Sequence, residues 1–143
     1  MTQNNNRNDR GAVHATIRML IPMHRQSEAL EILGAVSAQV RFEPNCVYSR
    51  LYRGVDDVRA IMIEERWTND EHVRQHLRSD AYRRILMVVE MAEKPPEIRF
   101  DTILESAGVQ AIEISAFDEA GITANLGRLR LKQRGNSTCP TPW

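Results

Sequence analysis

The stretch "EERWTNDEHVRQHLRSDAYRRIL", residues 64–86, decides the fold. Up to Trp67 the residues follow a strand's period of two, with Ile61, Ile63, Glu65 and Trp67 on one face and Ala60, Met62, Glu64 and Arg66 on the other. After "TND" the apolar positions Val73, Leu77, Ala81 and Ile85 recur at four-residue steps, as along one stripe of a helix. Thr68, Asn69 and Asp70 sit where the period changes and offer oxygens to cap the first helical turn. Residues 64–86 therefore read as a strand-to-helix corner. Trp67 and His76, nine positions apart, border the space between the two layers.

Working outward, "VHATIRMLIP" reads as a mostly buried strand closed by Pro22. From an N-cap at Ser27, the apolar positions Ala29, Ile32, Leu33, Val36 and Val40 mark a first helix, which Pro44 stops. "CVYSRLYR", the turn "GVDD" and "VRAIMIEERW" form a hairpin, in which Tyr48 and Tyr52 share a face opposite Val47 and Leu51. The second helical stripe runs on through Val88 and Ala92 to "KPP", as one long helix bent near Ser79 and Asp80. "EIRFDTILES" alternates Ile98, Phe100, Thr102 and Leu104 on one side. The order βαββαβ predicts an α+β, ferredoxin-like fold: a four-stranded antiparallel sheet with both helices on one face. Because both sheet faces carry apolar residues, a second copy is expected to cover the open one, which makes the chain a homodimer.

The chain has 143 residues, 42% of them hydrophobic, enough for one domain with a proper core. We divide it into a disordered, Asn-rich tail at 1–11, a folded domain at 12–106 and an extension at 107–143. The extension is read as a short strand at Val109 to Ser115 followed by a loose end. Lys plus Arg total 19, as do Asp plus Glu, so no net field draws in nucleic acid or an anionic membrane. The basic alternation Arg128, Arg130, Lys132 and Arg134 reads as a solvated edge. Nothing approaches the roughly 20 apolar residues of a membrane span, and no apolar export leader opens the sequence. Cys46 and Cys139 lie too far apart for a CxxC site. A cytoplasmic location is expected, with no membrane and no nucleic-acid partner.

The run from His14 to about Leu104 resembles the antibiotic biosynthesis monooxygenase (ABM) superfamily. The resemblance rests on "EPNCVYSRLYRG", "IMIEERWTNDEHVRQHLRS" and "PPEIRFDTI", and on the Glu65-x-Trp67 and Trp67-x8-His76 spacings. It implies a dimeric α+β barrel built from two ferredoxin-like protomers. It also implies a monooxygenase that needs no cofactor and oxidises a small aromatic, quinol or polyketide-like substrate with O2. Within that resemblance His76 is the base or anion partner and Trp67 the wall that stacks on the ring. Glu65, Ile63, Tyr82 and Arg50 are the substrate-binding set, with Arg50 as counter-charge. Such a site would remove a proton from a phenol, enol or quinol, and the electron-rich anion would then pass an electron to O2.

Each residue also has a plainer reading. Trp67 can be corner packing, His76 a hydrogen-bonding neighbour at the rim of a helix, and Glu65 a helix cap or an arginine's partner. The haem-degrading branch of the superfamily uses an Asn on the first strand, where "HATIRMLIP" has none. Many catalytic relatives carry a second histidine, where "SDAYRRIL" offers only Tyr82. His72 and His76 have metal-ligand spacing but no third ligand, so no metal is expected. Cys46 reads as a buried thiol and His14 as an exposed strand start. The competing function is a non-catalytic dimer of the same fold that binds a small molecule or a partner protein.

Overall fold

The computed structural model describes residues 11–112. Its elements are β1 (Ala12–Leu20), a 3-10 turn (Met23–Arg25), α1 (Gln26–Val40), β2 (Cys46–Arg53), β3 (Ala60–Trp67), α2 (Asp70–Leu77), α3 (Asp80–Val89) and β4 (Glu97–Ile103). All strand pairings are antiparallel and the order across the sheet is β2-β3-β1-β4, the ferredoxin-like arrangement expected from the sequence. The expected tail at residues 1–10 lies outside the described residues, as do residues 113–115 of the expected strand, the basic alternation and Cys139. The chain divides into two units between Glu105 and Ser106. In the second, residues 110–112 are helical, with Ala111 and Ile112 donating to the carbonyls of Gly108 and Val109. A strand beginning at Val109 is therefore not formed there.

The core lies between the sheet and the helices. Alternation buries Val13, Ala15, Ile17 and Met19 of β1 and Ile61, Ile63, Glu65 and Trp67 of β3 on one face, as the period of two requires. The helical stripes supply Ala29, Leu33, Val36 and Val40 from α1, and Val73, Ala81, Ile85 and Val88 from α2 and α3. Each fully buried Val, Leu or Ile contributes on the order of 1.5–3 kcal/mol of transfer free energy.

Four local details differ from the sequence reading. Helix α1 begins at Gln26, behind the 3-10 turn that Pro22 opens, so Ser27 lies exposed in the first turn and is not the cap. Gln26 itself reaches back to the Ile21 and Val58 carbonyls, which fixes the corner instead. The long second helix is two helices. Ser79, in extended conformation, accepts the Tyr82 N–H at 3.2 Å and donates to the His76 carbonyl at 2.6 Å, so its hydroxyl ends one helix and starts the next. A bulge between Cys46 and Tyr48 turns Val47 out to solvent, leaving Cys46, Ser49 and Leu51 on the helix side. Finally, Ile98 and Phe100 share the helix-side face but stay 43% and 45% exposed, because β4 is an edge strand that the helices do not reach across.

Gly54, in the hairpin turn, is required by close approach: a Cβ there would collide with the Asp57 carbonyl and the Ala60 side chain.

Candidate active site at the Glu65 and His76 corner

The β3-to-α2 corner is built by Asn69, whose side chain accepts the His72 N–H at 3.1 Å and starts α2 immediately after Thr68. That start places His76 one turn beyond Val73, on the buried face rather than at its rim, and the residue is 3% exposed. Strand alternation brings Glu65 and Trp67 to the same space from below.

There the side chains interlock. His76 Nε2 lies 2.9 Å from Glu65 Oε2, yet neither ring nitrogen of His76 has an aligned hydrogen-bond partner among the described residues. The contact is one of proximity, without hydrogen-bond alignment. Trp67 Nε1–H donates to the same Oε2 at 3.2 Å, and Ser49 Oγ lies 3.5 Å from Oε1, at the limit of a hydrogen bond. The Trp67 and His76 rings overlap at 4.7 Å between centroids, and Tyr82 meets His76 edge-on at 5.5 Å.

The sheet register explains why a cavity exists here. Ser49, Glu65, Ala15 and Phe100 stand side by side across β2, β3, β1 and β4 on the helix-side face. Ala15 is the small member at the centre of this row, and the space above it is roofed by Val73, His76, Tyr82 and Ile85. The chamber measures about 10 Å³. That is room for roughly one water molecule.

Burial, and next the Glu65 charge, push the Tyr82 phenol above its usual range, so it holds its proton at neutral pH. Cys46, on the same face, is pushed up to about 12 by burial and then by Glu65 and Glu43, against a lowering by Arg41; it is a poor nucleophile.

Ile63, Glu65, Trp67, His76 and Tyr82 are thus brought to one chamber from β3, α2 and α3. Among the described residues Glu65 neither caps α2, which Asn69 does, nor meets an arginine. Arg50 is not among them. It pairs in register with Glu64, on the opposite face of the sheet, and its guanidinium lies 4.1 Å over the Tyr48 ring, because alternation along β2 turns residues 48, 50 and 52 away from the helices. Arg50 is therefore not the counter-charge of this chamber. His14 is also on that far face, 2.7 Å from Glu64. His72 is only partly buried, and among the described residues no group of three His, Cys, Asp or Glu side chains could hold a metal.

Ala15, Ser49 and Phe100 were not singled out from the sequence. Their signal is positional: they border Glu65 only once strand register is known. A second, shallower groove of about 170 Å³ lies on the open face by Arg18, Tyr52 and Met62, away from the buried imidazole.

A sequence model of the family described as antibiotic biosynthesis monooxygenase matches residues 12–86, just over half of the chain. Among solved structures, Rv0793 from Mycobacterium tuberculosis aligns with a TM-score of 0.62 and 21% identity, over 68% of this chain and 100% of that one. A conserved protein from Methanosarcina mazei Go1 gives 0.60 and 18%, over 65% and 93%. A candidate antibiotic biosynthesis monooxygenase from Caulobacter crescentus CB15 gives 0.62 and 15%, over 68% and 94%. At these identities the likeness establishes the fold alone. No curated protein matches the chain.

Proposed function

The chain belongs to the antibiotic biosynthesis monooxygenase family, and on that premise we propose that the Glu65, Trp67, His76 and Tyr82 chamber is the reaction site of a monooxygenase that needs no cofactor. Its substrate is a small aromatic, quinol or polyketide-like molecule and its oxidant is O2. The observation that carries this reading is the buried imidazole of His76, whose Nδ1 has no hydrogen-bond partner among the described residues and whose Nε2 lies 2.9 Å from Glu65 Oε2 without an aligned hydrogen bond. Leaving a buried polar group unpaired costs about 1–3 kcal/mol, and such groups are characteristic of sites that a ligand completes.

In this reading His76 removes the proton from an acidic O–H of the substrate, a phenol, enol or quinol, and Glu65 stabilises the imidazolium from 2.9 Å. Trp67 orients Glu65 through its indole N–H as well as walling the chamber. Tyr82, which keeps its proton, donates to the developing anion. The anion passes an electron to O2 and the two radicals combine. Loss of water leaves one oxygen atom in the product and the other in H2O. Oxidation of a ring CH2 to C=O supplies all the electrons that O2 takes up, so the overall step balances without an external reductant. The test is oxygen uptake against a panel of quinols and anthrones, with His76→Ala and Trp67→Ala as controls. Uptake that is absent in the wild type, or unchanged in both variants, rules the reading out.

The chamber's size, about 10 Å³, favours a second reading: a non-catalytic module of the same fold that binds a small molecule or a partner protein. Deleting residues 108–143 separates the two, since a pocket enzyme keeps its ligand and an interaction module loses its partner.

Dimerisation through the open sheet face belongs to the same proposal. That face carries Tyr48, Tyr52, Met62 and Leu20 beside charged residues, which suits a second copy of the chain. A monodisperse monomer at micromolar concentration in sedimentation would contradict it. No helix among the described residues is long and apolar enough to cross a membrane, and a reducing cytoplasm suits the widely spaced cysteines.

A further inference from the structure

We propose that the chamber is entered past Phe100 on the edge strand β4, and that Ala15 and Phe100 together determine what the site accepts. The proposal rests on the reaction site assigned above. The floor at Ala15 and Ile17, one end at Trp67 and the roof at Val73 and Ile85 are closed by residues that are themselves buried. The side toward β4 differs. Phe100 lines the chamber yet is 45% exposed, and its neighbour Ile98, two residues along the same face, is 43% exposed. Phe100 therefore has one edge in the chamber and one in solvent.

The sheet's geometry makes this the natural way in. β4 pairs with β1 alone, α2 packs over β1 and β3, and the helix-side residues Ile98 and Phe100 of β4 stay exposed. An aromatic ring on an edge strand turns about its Cα–Cβ bond without disturbing a packed neighbour, whereas moving Trp67 or Ile85, each at most 1% exposed, disturbs the core. Tyr82 is the alternative door. It is only partly buried, but it is held edge-on against His76 on a helix whose first turn is capped by Ser79.

Size then sets specificity. A space for about one water molecule accepts a single hydroxyl or carbonyl oxygen, not a ring. The reactive oxygen of a substrate reaches His76 over Ala15, while the ring to which it is attached remains outside, against the Phe100 and Ile98 strip. The site thus selects molecules whose ionisable oxygen projects from the edge of a flat apolar body. A group flanked by bulky substituents on both sides is excluded by Phe100.

The test needs no activity, so its failure is distinguishable from failure of the functional reading. Trp67, 1% exposed, lines the chamber and reports on access to it by its fluorescence. In the full chain carrying Trp143→Phe, so that Trp67 is the one indole, acrylamide is expected to quench poorly. Phe100→Ala should raise the acrylamide quenching constant severalfold. Ala15→Val, which fills the chamber, should reverse that rise in the double variant. Leu86→Ala, an exposed change on α3, controls for general loosening and should leave quenching at the parent level. If Phe100→Ala leaves quenching unchanged, or if Tyr82→Ala raises it and Phe100→Ala does not, the door is not at Phe100. If the Ala15→Val change does not reverse the effect, Ala15 does not set the chamber's size. Phe100→Leu serves as a second variant should Phe100→Ala fail to fold, with a smaller rise expected.

Discussion

Glu65 Oε2 stands 2.9 Å from His76 Nε2, and the two side chains are 6% and 2% exposed. Glu65 also receives the Trp67 N–H, so it is the hub of the corner and not a helix cap. Removing it by Glu65→Ala leaves His76 and the indole N–H buried without their carboxylate and is expected to cost roughly 3–5 kcal/mol, whereas replacing Glu65 and His76 together by apolar residues of similar volume is expected to be neutral or stabilising. Midpoints of urea unfolding measure both. A Glu65→Ala midpoint equal to the wild type's would show that the contact contributes nothing to stability.

Two of the chain's three tyrosines are expected to ionise above their usual value near 10. Tyr82 is raised by burial and then by Glu65, Tyr48 by burial and then by Glu64. Above pH 10 the unfolded chain binds fewer protons at these positions than the folded one, so stability falls as pH rises through that range. Spectrophotometric titration of the folded protein checks this by comparison with Tyr82→Phe, which should lose one late-ionising phenol. Loss of an ordinary phenol instead would contradict the buried placement of Tyr82.

The Cys46 thiol, pushed up to about 12 chiefly by burial and then by Glu65, is expected to resist alkylation at neutral pH in a Cys139→Ser background. Labelling should follow unfolding and speed up in urea. Rapid labelling of the native protein would show that the β2 bulge leaves the sulfur accessible.

On the open sheet face, partial burial pushes the Glu64 carboxyl up, but hydrogen bonds with His14, Tyr52 and Tyr48 outweigh it and hold the group below its ordinary value of 4.5. The resulting stability is fully present above about pH 4.5 and is lost as pH falls through the lowered folded value, where the unfolded chain has taken up the proton first. Glu64→Gln is expected to flatten the acid limb of the stability profile below pH 4.5 while leaving its slope at neutral pH unchanged. An unaltered acid limb would mean that Glu64 is not held as the structure places it.

Much of this was legible in the sequence because period is legible. The alternation at residues 60–67 and the three- and four-residue steps from Val73 to Val88 assigned the correct faces, and "TND" marked the corner where Asn69 caps α2. Register and irregularity were not legible. The bulge at Val47 leaves no trace in composition, and the carbonyl that Ser79 binds lies on the preceding turn, so the break between α2 and α3 read as a bend. Arg50 lies on the far side because it shares the parity of Tyr48 and Tyr52 on β2, which turns it away from the helices. Ser49, Ala15 and Phe100 acquire meaning only as neighbours of Glu65 across three strands. Their sequence separations conceal the row that they form.

The most direct measurement is oxygen uptake with an anthrone or quinol substrate by the wild type and by His76→Gln. Glutamine keeps a polar side chain beside Glu65 and fills much of the imidazole's space, but it cannot take a proton. If His76 is the base, the variant stays folded by circular dichroism and its uptake falls by about 10²- to 10⁴-fold. A folded variant that consumes oxygen at the wild-type rate would contradict the role of His76, and with it the assignment of the corner as a reaction site.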